Sequence, residues 1–152
     1  MRISLKVVTC GIVLAAMGGL AFAGFAKPED AIRYRQAVMT VIGQHFGSLA
    51  AVVKGQAAYN KDSVEHDAAV LRTMSELAWE AVMVPGSDRG DTTLSPLAMK
   101  EPDKFMAVAQ QFESAVQQLE QTAKSGDIEA VKGRFGEVAK SCKFCHSTYR
   151  KN

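Results

Sequence analysis

The sequence predicts an all-α fold, an antiparallel up-down-up-down four-helix bundle. Residues 24–152 contain four segments whose apolar residues recur at steps of three and four, the spacing that lines one face of an α-helix. No stretch alternates apolar and polar residues between turns, as a half-buried strand would. The connection between the last two segments is so short that those helices must run antiparallel.

The first helix opens at Pro28-Glu29-Asp30, a proline and two acids suited to a helix N-terminus. Its stripe runs Ile32, Arg35, Met39, Ile42, Phe46, Leu49 and Val53, and Gly55 ends it. The second is predicted to follow Asp62 as N-cap, with Glu65 three residues on. Val64, Ala68, Leu71, Ser75, Ala78 and Val82 form its stripe, and Pro85-Gly86 stops it. From Val84 to Lys100 the chain is rich in turn residues and has no helical period, so it reads as one long loop. The third helix starts near Glu101-Pro102, carries Phe105, Val108, Phe112, Ala115, Leu119 and Thr122, and ends at Gly126. Asp127 caps the fourth, whose stripe is Ile128, Val131, Phe135, Val138, Cys142, Cys145 and Tyr149. Each helix buries one stripe against neighbours inclined at about 20°.

Composition agrees with one domain. The chain has 152 residues, 47% hydrophobic and 22% charged, too apolar for a disordered segment and too short for two comfortable domains. Residues 1–23 stand apart from the fold. Arg2 and Lys6 precede an uncharged run from Val7 to Phe22, and Ala21-Phe22-Ala23 supplies a small-x-small cleavage pattern. This segment reads as a cleaved secretory signal, leaving a periplasmic protein without a membrane anchor. Its removal leaves 129 of the 152 residues and takes away Arg2, Lys6 and Cys10. Lys+Arg then falls from 18 to 16 and equals the 16 Asp+Glu. A neutral chain with no basic patch is not a nucleic-acid binder.

The two remaining cysteines carry the chemistry. Cys142-Lys143-Phe144-Cys145-His146 is C-x-x-C-H, the attachment signature of c-type haem. On a helix, thiols three residues apart share a face and can reach the two vinyl groups of one macrocycle. The adjacent His146 supplies an axial iron ligand. A zinc site would need four ligands, and no second cysteine pair exists. A thioredoxin-like C-x-x-C opens a helix beside a βαβ sheet, whereas this one ends an all-α chain. The expected cofactor is therefore one covalent haem c per chain, bound in the core of the bundle. Only six residues follow His146, so any sixth iron ligand must come from upstream.

This arrangement resembles the cytochrome c′ family, the class II c-type cytochromes. The resemblance runs through Phe25-Ala26-Lys27-Pro28-Glu29-Asp30-Ala31, Tyr34-Arg35-Gln36 and Val52-Val53-Lys54-Gly55-Gln56-Ala57. Pro85-Gly86 with Gly90-Asp91 matches the middle loop, and Ser141 to His146 with Tyr149-Arg150-Lys151 matches the end. It implies a homodimer with a five-coordinate, high-spin haem that binds NO and CO, in NO buffering or sensing. It also places Arg35, Gln36 and Asp91 against the haem and Arg150 on its proximal side.

Met39 divides the functional readings. In the high-spin relatives an apolar side chain stands over the iron at this position without bonding it. The alternative is a low-spin electron carrier with Met39 as sixth ligand. Low-spin relatives place the ligating Met one turn later, where Ile42 stands and cannot ligate. Met39 and Ile42 offer no hydrogen bond to bound O₂, which favours NO and CO. Arg35 lies on the core stripe, where a charge needs a partner, and a haem propionate would serve. His45 and His66 read as surface residues, and Trp79 and Tyr59 as packing groups. Nothing resembles a distal acid–base pair, so the chain does not read as an enzyme.

Overall fold

The computed structural model describes residues 24–151, and the expected signal segment lies outside the described residues. Helix α1 spans Pro28–Val53, α2 Lys61–Leu77, α3 Leu97–Lys100, α4 Pro102–Ala123 and α5 Ile128–Tyr149. The long helices α1, α2, α4 and α5 form the bundle: α1 packs on α2 and α5, and α4 packs on α2 and α5. The described residues contain no strand beyond an isolated antiparallel bridge between Leu94 and Arg150.

Local chemistry sets the helix ends. Pro28 opens α1, where a missing N–H costs nothing. Gly55, at φ +71°, closes it: Gly55 N donates to Val52 O at 3.0 Å and Gln56 N to Ala51 O at 2.8 Å. That pair of bonds needs a left-handed residue, which glycine adopts without strain. Asp127 caps α5 by accepting from Glu129 N and Ala130 N. The cap of α2 is not Asp62. Asn60 holds that place, its side chain accepting from Ser63 N at 2.9 Å, so the helix begins two residues before the sequence reading put it. Asn and Asp cap about equally well, so residue type alone could not choose between them.

The other end of α2 also differs. The α-helix stops at Leu77 rather than running to Pro85, and Ala78 to Val84 continue as turns. Ala78 and Val82 are nonetheless buried, as the stripe required. The expected loop contains the single turn α3, which buries Ala98. In α4 the buried positions are Phe105, Ala109, Phe112, Val116, Leu119 and Ala123, while Val108, Ala115 and Thr122 are half-buried. Small residues on both sides of the stripe left its rotation open, and contact with both α2 and α5 fixed it.

The core has two parts. The main one gathers Val38, Ile42 and Leu49 from α1, Val64, Ala68 and Leu71 from α2, Phe112, Val116 and Leu119 from α4, and Val131, Phe135 and Val138 from α5. Phe46 stacks on Phe135 at 4.5 Å between ring centroids. A smaller part holds Val82, Ala98, Phe105, Ala109 and Tyr149 near the C-terminal end of α5. Burying each large apolar side chain contributes about 1.5–3 kcal/mol.

Candidate haem site

Cys142 to His146 occupy the last two turns of α5. Helical register turns Cys142 and Cys145 inward, each half-buried, and Lys143 and Phe144 outward, with Phe144 54% exposed. Cys142 packs on the main core and Cys145 on the smaller one. The thiols are not bonded to each other. Burial pushes both thiols up, and Cys142 reaches about 11 because the nearby Cys145 adds to the effect. At neutral pH both sulfurs therefore stay protonated, unlike the thiolates of redox and zinc sites. The His146 imidazole is pushed down, first by loss of water around the ring and then by the positive charge of Arg150. It remains neutral near pH 7, the form that ligates a metal.

The middle loop is fastened from both sides, to α1 and to the end of α5. Arg35 is buried in α1 and donates through Nη1 to Ala81 O at 2.8 Å. Its Nη2 donates to Ser87 O at 2.9 Å and Thr92 Oγ1 at 2.8 Å. Burial lowers the Arg35 pKa, and these neutral acceptors keep the cation satisfied. Gln36 Nε2 donates to Asp91 O at 2.9 Å. At the loop's far end, Ser95 N donates to Tyr149 O at 2.8 Å and Lys151 N to Thr93 O at 2.7 Å. Arg150 is exposed, and its backbone pairs with Leu94. Gly86 lies against the start of α1, where an added Cβ would stand 3.3 Å from Pro28 Cγ.

The loop thus brings Arg35, Gln36 and Asp91 together and joins them to the segment that follows His146. A partner for the Arg35 charge was expected, and the sequence reading offered a propionate. The partners observed are the 81–92 backbone, Ser87 and Thr92. Nothing in a turn-rich stretch marks which of its carbonyls will face a buried guanidinium, so these residues were not legible.

Met39 is half-buried and packs on the main core, as Cys142 does. Trp79 packs on both parts of the core and meets Phe105 and Phe112 edge-on at 5.8 and 5.9 Å. Its indole Nε1 is buried and has no hydrogen-bond partner. A buried indole N–H requires an acceptor, and a polar-edged group seated between the two parts of the core would provide one. Trp79 is the packing group the sequence suggested, with one buried donor left unpaired. His66 is exposed, as expected, but His45 is not a plain surface residue: it is half-buried, with Nδ1 2.7 Å from Asp67 Oδ1.

Two free thiols on one inner helix face, a neutral imidazole beside them, and an unsatisfied donor in the adjoining core fit a covalently attached porphyrin. The family model described as cytochrome c′ matches residues 30–150. The cytochrome c′ of Alcaligenes xylosoxydans xylosoxydans is 40% identical over 127 residues, covering 84% of this chain and 98% of that protein. The cytochrome c′ of Rubrivivax gelatinosus is 36% identical over 127 residues, covering 83% and 98%. The crystal structure of the Rubrivivax protein superposes with a TM-score of 0.80 over 84% of this chain and 99% of that one. A nitric oxide complex of a leucine-to-valine variant from Alcaligenes xylosoxidans, 40% identical, superposes at 0.78 over 84% and 99%. A carbon monoxide-bound leucine-to-glycine variant of that protein does so at 0.78 over the same shares. With the attachment motif on the last helix of an up-down-up-down bundle, and with relatives matched over nearly their whole length, the chain belongs to the cytochrome c′ family and carries haem c.

Proposed function

We propose that the chain is a periplasmic gas-binding haem protein of 129 residues after loss of residues 1–23, taking NO and CO for buffering or sensing. Cys142 and Cys145 hold the macrocycle as thioethers and His146 ligates the iron. When bound, the haem would supply an iron centre able to take a diatomic gas. The observation that carries this reading is the character of α1. Met39, Ile42, Phe46 and Leu49 line its core-facing side, with Met39 in the same part of the core as Cys142, while the half-buried polar His45 is engaged by Asp67. Such a wall donates no hydrogen bond, which disfavours O₂ relative to NO and CO. Complexes with both gases are known for variants of the related Alcaligenes protein.

Arg35 and Gln36 hold the middle loop, with Asp91, at the polar edge of the haem, and Arg150 stands on its proximal side. These residues bind and orient, a binding role rather than an enzymatic one. The chain works as a homodimer. The outward-facing residues of α1 include Val41 and the small residues Ala37, Gly43 and Gly47, a surface that a second copy can approach closely.

The second reading is a low-spin electron carrier with Met39 bound to iron. It draws on the presence of the Met39 thioether in the same part of the core as Cys142. One experiment tests the main reading. Protein from a haem-attaching host should have the mass of a chain starting near Gly24 plus one haem. Its reduced form should be saturated by both CO and NO. An apo mass, or a reduced form inert to CO, would overturn it.

A further inference from the structure

We propose that His45, His66 and Asp67 form a second metal site, on the seam between α1 and α2, for a divalent transition cation of the zinc class. His45 comes from α1, and His66 and Asp67 from α2. One ligand atom from each lies within 4.8 Å of the other two. The site shares no residue with the haem attachment and does not depend on the gas-binding reading.

Part of this arrangement is already built. His45 Nδ1 stands 2.7 Å from Asp67 Oδ1, so two ligands from different helices are held in register. Their side chains are only 24% and 12% exposed, which limits their motion and their exchange with water. The His66 ring lies edge-on to His45, 5.8 Å between centroids. His66 is exposed and free to change rotamer. A tetrahedral ion about 2.1 Å from each ligand needs ligand atoms about 3.4 Å apart. Reaching that spacing brings the widest pair in by at most about 1.4 Å, within reach of the His66 side chain, and opens the 2.7 Å His45–Asp67 contact by about 0.7 Å to admit the ion.

The donor set selects the ion. Two imidazoles and one carboxylate suit zinc, copper(II) or nickel and are poor ligands for calcium or magnesium. Three protein ligands leave the fourth position to water. Each imidazole must be unprotonated at the bonding nitrogen, so binding releases protons to solvent. Because the ligands span α1 and α2, the ion binds the folded chain and raises its stability by linkage.

The test uses the haem-loaded protein and zinc chloride in a non-chelating buffer. Calorimetry should show one zinc per chain, and the melting temperature should rise with zinc concentration. His66→Ala should weaken zinc binding roughly tenfold or more and abolish the zinc-dependent rise. Because His66 is exposed, its melting temperature without zinc should match wild type. Asp67→Asn should also weaken binding. Failure to bind zinc at one per chain would overturn the site. Binding left unchanged by His66→Ala would do the same, because the zinc would then sit on other surface groups.

Discussion

Arg35 Nη2 lies 2.9 Å from the carbonyl oxygen of Ser87, 52 positions later in the chain. This bond, with those to Ala81 and Thr92, fastens the middle loop to α1 through one buried guanidinium. A planar fork with several donors can serve acceptors that point in different directions, which a lysine ammonium does less well.

Arg35→Leu should therefore destabilise the protein. It leaves the buried carbonyls of Ala81 and Ser87 without this donor, a cost of about 1–3 kcal/mol for an unsatisfied group. Thermal unfolding of the haem-loaded variant checks it, with Arg35→Lys expected to recover little. An unchanged melt would mean that the loop is held by its C-terminal ties to Tyr149 and Lys151.

The two candidate caps of α2 give a second contrast. Asn60→Ala should cost about 0.5–2 kcal/mol, because its side chain satisfies Ser63 N. Asp62→Ala removes only an acid from the first turn, worth about 0.3–1 kcal/mol. Urea unfolding of both variants ranks them.

The raised pKa of Cys142 predicts a pH dependence in the haem-free chain. In a Cys145→Ala background, alkylation of the folded chain should still be slow at pH 8.5, where an ordinary thiol is half ionised. It should rise only above the ordinary thiol range, because burial, the larger cause of the shift, persists without Cys145. Burial favours the protonated form, so this contribution to stability is complete below the ordinary thiol range and is lost as pH climbs toward 11. In the haem-loaded protein the thioethers do not titrate. Alkylation with an ordinary thiol profile would show that the core does not close over this sulfur without haem.

Much of this was legible in the sequence because the signals are local and periodic. The stripes of α1, α2 and α5 follow from spacing alone, and every α2 stripe position from Val64 to Val82 is buried. C-x-x-C-H is a contiguous signature whose meaning survives without a structure. What stayed hidden depends on contacts distant in sequence. The partners of Arg35 lie 46 to 57 residues away. The unsatisfied Trp79 Nε1 and the pairing of His45 with Asp67 exist only once the helices are packed.

Met39→Ala probes the gas-binding wall. If Met39 crowds an incoming ligand, truncation relieves a steric cost of about 1–3 kcal/mol. CO affinity should then rise roughly tenfold to a hundredfold. Equilibrium CO titration of the reduced variant measures it. No gain would remove Met39 from the ligand's path.

A five-coordinate haem iron should show itself in the EPR and visible spectrum of the ferric protein as purified. That spectrum should be high-spin, and Met39→Ala should barely alter it. A low-spin spectrum with an iron–thioether charge-transfer band, converted to high-spin by Met39→Ala, would contradict five-coordination and make Met39 the sixth ligand of an electron carrier.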